Sequence, residues 1–170
     1  MTFDIFMIEF GFLIKSSRKM KNLTLYQYAF KADIVANHIQ KIESSKHGGI
    51  QILTYAKLLL GLDCSLSFVQ KNKKGDNLII LSNENNEFLN NLFFGLSSDE
   101  DFQFLNLNPS SLLMELGNKV RIKRNNIGWT QKELSEKAKV SNTTVYRVES
   151  GKYNYSLLVL YKLSKALNTK

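Results

Sequence analysis

The stretch TQKELSEKAKVSNTTVYRVESG, from Thr130 to Gly151, leaves few options for how it can fold. Thr130 and Glu133 stand three apart, the spacing of a capping box. There the hydroxyl takes the Glu133 amide and the carboxylate reaches back to the Thr130 amide. Leu134 and Ala138 keep one apolar face for about two turns. Lys139-Val140-Ser141 then interrupts the pattern, and Ser141 is itself a good N-cap. A second helix follows from Asn142 to about Glu149, with Val145 and Val148 facing inward, and Gly151 supplies its stop. The spacing thus predicts two short capped helices about a tight turn, the second presenting Asn142, Thr143 and Arg147 outward.

Charge adds a direction to this reading. The formal net charge is +8, unevenly spread. Residues 1–63 carry eight basic and five acidic side chains, residues 64–110 three and six, and residues 111–170 twelve and four. The last third, which holds the two capped helices, therefore carries a surplus equal to that of the whole chain. A solvated basic face needs no partner, but a basic face around an outward-facing helix points to nucleic acid. The lone Cys64 cannot form an internal disulfide, and His38 and His47 offer no metal-ligand set. MTFDIFMIEFGFLIK is apolar but holds Asp4 and Glu9 and lacks a basic start. It reads as core packing, not as a signal peptide or membrane span, and the expected location is cytoplasmic.

The chain also repeats itself at an offset of 106. Gly11 meets Gly117, Arg18 meets Arg124, Thr24 meets Thr130, and Lys31-Ala32 meets Lys137-Ala138. Glu43-Ser44 then meets Glu149-Ser150, and Lys46 meets Lys152. The apolar positions pair conservatively: Ile14/Val120, Ile34/Val140, Ile39/Val145 and Ile42/Val148. Thr24 and Gln27 keep the capping box. A long amphipathic run ending at Lys21 or Asn126 precedes each helix pair, the second starting after Asn108-Pro109-Ser110. An apolar run follows each pair, Ile50–Gly61 and Ser156–Leu167. Trp129 stands opposite Leu23 and reads as packing.

On these residues, 116–168 resemble the Cro/cI-type (Xre-family) helix-turn-helix domain of phage repressors and bacterial regulators, and 10–62 resemble a degenerate copy. The resemblance implies a phosphate contact from Gln131 and base reading by Asn142, Thr143 and Arg147. It also implies buried Arg–Glu pairs, Arg124 with Glu149 and Arg18 with Glu43, that serve the fold. Ser141, Thr144 and Lys152 would hold the DNA backbone. Where the family often has a turn glycine, Lys139 and Asp33 stand here, so the turn is expected to be strained or reshaped. The first copy departs further. Leu25 replaces the phosphate-binding Gln, Val35 replaces the N-cap Ser, and the outer face becomes Ala36, Asn37 and Lys41. Asn37 and Lys41 are weaker candidates for DNA contact, and a scaffold or dimerisation role is the other reading.

The fold class expected is mostly α: two lambda-repressor-like helical domains, residues 1–63 and 109–170, joined by residues 64–108. In that middle segment Cys64–Val69 and Asn77–Leu81 are strand-like about the polar turn Lys71–Asp76, which predicts a β-hairpin. Glu87–Leu96 reads as a short helix with an aromatic stripe. Ser97–Asp101 reads as an acidic loop, and Phe102, Phe104, Leu105 and Leu107 as an apolar cluster. A lone hairpin is barely stable, so it must pack on the first copy or pair with another chain.

These readings point to a sequence-specific regulator of double-stranded DNA, most simply a repressor. An antitoxin that also binds a toxin protein, and an adaptor without DNA binding, are the alternatives. A homodimer through the N-terminal domain and residues 64–81 would present two half-sites; a single chain bridging unequal half-sites is the other arrangement. No phosphate loop, paired carboxylates or His/Cys constellation suggests an enzyme, a metal or a cofactor.

Overall fold

The computed structural model of the protein describes residues 2–45, 49–64, 69–71, 77–79, 83–95 and 109–168. It is mostly helical. Four helices come first, α1 (Phe3–Met20), α2 (Leu25–Ala32), α3 (Ala36–Glu43) and α4 (Ile52–Leu60). Two strands follow, β1 (Val69–Lys71) and β2 (Asn77–Ile79), then α5 (Asn83–Leu92). The C-terminal set is α6 (Pro109–Ile127), α7 (Gln131–Ala138), α8 (Asn142–Glu149) and α9 (Leu157–Asn168).

The opening segment forms its helix because its apolar side chains recur at helical spacing. Phe3, Phe6, Met7, Phe10 and Ile14 are all buried on one face of α1, and Thr2 caps its start. Gly11 lies where α1 crosses α3, and a Cβ there would stand 2.4 Å from the Ile42 carbonyl oxygen. Gly117 of α6 makes the corresponding crossing over α8, with the same 2.4 Å to the Val148 carbonyl oxygen. Only a residue without a side chain lets the two backbones approach this closely. Gly11 and Gly117 thus have one geometric cause.

The two turns also share one conformation. Asp33 (φ 51°) and Lys139 (φ 53°) both adopt the left-handed region at the C-caps of α2 and α7. A non-glycine residue there costs on the order of 1–3 kcal/mol, so the strain expected from the missing glycine is present at both turns.

The middle segment differs from the expectation in its helix. Instead of Glu87–Leu96, α5 spans Asn83–Leu92. It ends early because Phe94 (φ 54°) and Gly95 (φ 87°) turn left-handed. The Gly95 N–H then donates back to the Asn90 carbonyl at 2.8 Å, which closes the helix end. Strands β1 and β2 pair antiparallel, with Val69 opposite Ile79 and Lys71 opposite Asn77. Residues 65–68, 72–76 and 80–82, the acidic loop, the cluster Phe102–Leu107, and Lys46 and His47 lie outside the described residues.

The two helical sets share one continuous core, a feature that the reading of two linked domains did not include. Aromatic rings carry it across. Phe10 stacks on Tyr55 at 5.0 Å, and Tyr55 meets Phe93 at 5.3 Å. Phe6 meets Phe88 at 4.8 Å, and Phe88 and Phe3 both meet Tyr161 of α9, at 5.9 and 5.3 Å. The backbones ahead of α4 and α9 also join: Ile52 N–H donates to the Tyr155 carbonyl at 2.9 Å and Leu157 N–H to the Ile50 carbonyl at 2.8 Å. Gln51 and Ser156 face each other across this antiparallel bridge. Among the described residues, no helix is long and apolar enough to cross a membrane.

Candidate nucleic-acid interface

The candidate interface is built on α7, its turn and α8. Thr130 caps α7 as the spacing predicts. Its Oγ1 accepts from the Glu133 N–H at 3.2 Å, and the Thr130 N–H donates to Glu133 Oε2 at 2.7 Å. That backbone hydrogen bond, with a second from the Thr130 hydroxyl, holds the Glu133 carboxyl below its ordinary range. Lys139 reverses the chain, and the Val140 N–H returns to the Ser135 carbonyl at 3.0 Å. Ser141 then caps α8, its Oγ accepting from the Thr144 N–H at 3.1 Å. The Ser141 and Thr144 hydroxyls also lie 2.8 Å apart, so each is already engaged in the cap.

Helix α8 buries Val145, Val148 and Glu149 and leaves Asn142, Thr143, Tyr146 and Arg147 exposed. Arg147 does not wave freely. Its guanidinium lies 5.1 Å from the centre of the Tyr153 ring, a cation–π contact that limits where the side chain can point. Lys152 is also exposed, past the Gly151 turn.

Beneath this face lies a buried ion pair. Arg124 grips Glu149 with two hydrogen bonds, Nε to Oε1 at 2.6 Å and Nη2 to Oε2 at 2.9 Å. Its Nη1 donates to the Trp129 carbonyl at 2.7 Å. The Glu149 side chain is only 4% exposed, and its hydrogen bond to Arg124 raises the guanidinium pKa. Gln131 joins the pair, donating from Nε2 to Glu149 Oε2 at 2.9 Å. The Gln131 amide is therefore oriented by a buried carboxylate, and its second N–H and its carbonyl remain for other partners.

The N-terminal set repeats the frame. Arg18 holds Glu43 at 2.6 and 2.8 Å and the Leu23 carbonyl at 2.8 Å. Thr24 and Gln27 complete a capping box. Its surface differs. Val35 makes no side-chain cap, Leu25 stands where Gln131 would be, and Asn37 and Lys41 are exposed on α3.

Sequence reasoning singled out Asn142, Thr143, Arg147 and Lys152 as facing outward, and all four are exposed. It missed Tyr153 under Arg147 and the tie from Gln131 to Glu149. Neither left a signal, because each contact depends on how the chain turns after Gly151 or how α7 leans on α8. Among the described residues, no three His, Cys, Asp or Glu side chains gather as metal ligands.

A family model described as helix-turn-helix matches residues 120–170, the interval that holds α7, α8 and α9. A helix-turn-helix-type transcriptional regulator of Archaeoglobus fulgidus is 38% identical over 52 residues, 31% of this chain and 74% of that protein. Another, from Methanothermobacter thermautotrophicus, is 35% identical over 48 residues, 28% of this chain and 70% of that one. A competence pilus inhibition repressor of Acinetobacter baylyi is 36% identical over 55 residues, 32% of this chain. The match spans half the length of that repressor. No solved structure matches at the same stringency. The chain belongs to the helix-turn-helix family.

Proposed function

We propose that the protein is a sequence-specific double-stranded DNA-binding transcription regulator, most simply a repressor, with α8 in the major groove. The observation that carries this reading is the outer face of α8. Asn142, Thr143 and Arg147 stand exposed on a helix whose other side is pinned by a buried ion pair. Arg147 suits a bidentate contact to a guanine, Asn142 an adenine edge, and Thr143 a thymine methyl or a phosphate. The free amide groups of Gln131, with Lys152 and the α8 N-terminus capped by Ser141 and Thr144, would hold the backbone. The relatives named above as transcriptional regulators support the same assignment.

We read the N-terminal set as a degenerate copy of the same domain. The equal glycine crossings, left-handed turns, capping boxes and Arg–Glu grips support this, since a shared frame accounts for all of them together.

The test is selection of duplexes from a random library by the full chain, followed by affinity measurement. Arg147→Ala is expected to cost roughly 1–3 kcal/mol on the selected site and to relax preference at one base pair. Enrichment of no sequence by the unsubstituted protein would overturn the regulator reading.

A further inference from the structure

The backbone bridge between the two sets carries an exchange symmetry. The repeat offset is 106 through Glu43 and Glu149 but 105 from Ile52 and Leu157 onward, because one residue fewer separates α8 from α9. At that offset Gln51 is the counterpart of Ser156, and these two residues face each other. Ile52 is the counterpart of Leu157, and Tyr155 that of Ile50. Exchanging the two sets therefore turns the Ile52-to-Tyr155 hydrogen bond into the Leu157-to-Ile50 one, and both are present, at 2.9 and 2.8 Å. A contact in which i meets j and j meets i is the mark of a two-fold interface. The helix packing follows the same rule in part. The first helix of the C-terminal set, α6, packs along α4, the last helix of the N-terminal set, and in the reverse sense α1 touches α9 through Phe3 on Tyr161.

We infer that the N-terminal set occupies the place of a second protomer, so that one chain engages duplex DNA as both halves of a two-fold reader with unequal faces. This rests on the regulator reading given above. A two-fold reader matches the local two-fold of a duplex, and each half then meets its own half-site. With α8 in one groove, the same axis brings α3 to the other half-site. There the chemistry is poorer. Val35 cannot cap α3, Leu25 offers no amide, and Asn37 and Lys41 are the exposed polar groups at the reading positions. Lys41 supplies a point charge suited to phosphate, not a fork suited to a base. The N-terminal half thus adds backbone affinity and register, while the C-terminal half reads sequence. The preferred site is asymmetric, and the chain works as a monomer. This replaces the homodimer through the N-terminal domain and residues 64–81, because the two-fold partner surface of the C-terminal set is already covered within the chain.

The bridge can be tested without DNA. Hydrogen bonds flanking Gln51 and Ser156 make them a non-hydrogen-bonded antiparallel pair, with Cα atoms about 4.5 Å apart, within disulfide reach. The Gln51→Cys/Ser156→Cys double variant of the full chain should oxidise to an internally cross-linked species of monomer mass. A cross-linked dimer would overturn the inference. On DNA, sedimentation with a labelled selected duplex should give one chain per site. Footprinting should protect two segments about one helical turn, roughly 34 Å, apart, with sequence preference in one of them. Lys41→Ala should lower the slope of log affinity against log salt by about 0.9, alike for selected and random duplexes. Arg147→Ala should instead lose most of its affinity on the selected duplex. Two chains on a symmetric site, or a Lys41→Ala protein with an unchanged salt slope, would overturn the inference and leave the regulator reading standing. Absence of any preference among duplexes would overturn the regulator reading, and the cross-link would then report on the seam alone.

Discussion

Helices α3 and α8 hang on the same frame and present different surfaces. Each is anchored at its C-terminal end by a glutamate held bidentately by an arginine from the set's first helix, at 2.6 Å in both cases. Each crosses that first helix over a glycine. Yet α8 begins with a serine cap and shows Asn142, Thr143 and Arg147, whereas α3 begins with an uncapped valine and shows Asn37 and Lys41. Tyr26 and Phe30 are also exposed on α2, where α7 has Lys132 and Glu136. The difference teaches that the buried frame and the outer face answer to separate demands. Packing constrains the first wherever the fold is kept, and only a ligand constrains the second.

The largest effect should come from breaking the frame. Glu149→Ala strands Arg124 and leaves Gln131 without its partner, and should cost about 3–5 kcal/mol, read as a lowered melting temperature. Glu43→Ala should fall at the lower end of that range, because Leu25 makes no such tie. An unchanged melting temperature for Glu149→Ala, with DNA binding lost, would mean that the pair serves the groove. Next, Gly117→Ala and Gly11→Ala each force a methyl against a carbonyl oxygen and should each cost roughly 1–3 kcal/mol in denaturant melts. Clearly unequal losses would show that the two crossings are not equivalent.

Smaller effects probe the caps. Ser141→Ala should destabilise by about 1 kcal/mol, and Val35→Ser should stabilise by a similar amount by giving α3 the cap it lacks. A neutral Val35→Ser would break the comparison at that point. The smallest effect concerns pH. Glu133 has a lowered folded-state pKa through its bonds to Thr130, so its contribution is complete above the ordinary carboxylate range. It is lost as pH falls through the folded value. Gln27 does the same work in the N-terminal set and does not titrate. Glu133→Gln should therefore flatten part of the melting-temperature decline between neutral and acid pH. A decline of unchanged steepness would show that the Glu133 cap contributes nothing.

Much of this was legible in the sequence because it is local. Capping boxes, the Ser141 cap and the inward Val145 and Val148 lie within a few residues of their partners, and helical spacing reveals them. The Arg–Glu pairs span 25 residues and were legible only through resemblance to a family. The candidate surface was legible as residue types, but Tyr153 beneath Arg147 was not. The early end of α5 was missed although Gly95 stands there as a stop, because the left-handed turn begins one residue sooner, at Phe94, where the residue type carries no such signal.

Residue order alone was enough for most of the helices, the caps at Thr24, Thr130 and Ser141, and the basic charge of the C-terminal third, since each follows from side chains near one another along the chain. Only the tertiary structure decided how the two sets meet. The bridge between residues 50–52 and 155–157 consists of backbone hydrogen bonds, which are nearly indifferent to side-chain identity. Its register depends on a one-residue difference in loop length. The aromatic contacts that complete the shared core join positions far apart in the chain, as Phe6 with Phe88 and Phe3 with Tyr161, and no periodicity along the chain records them.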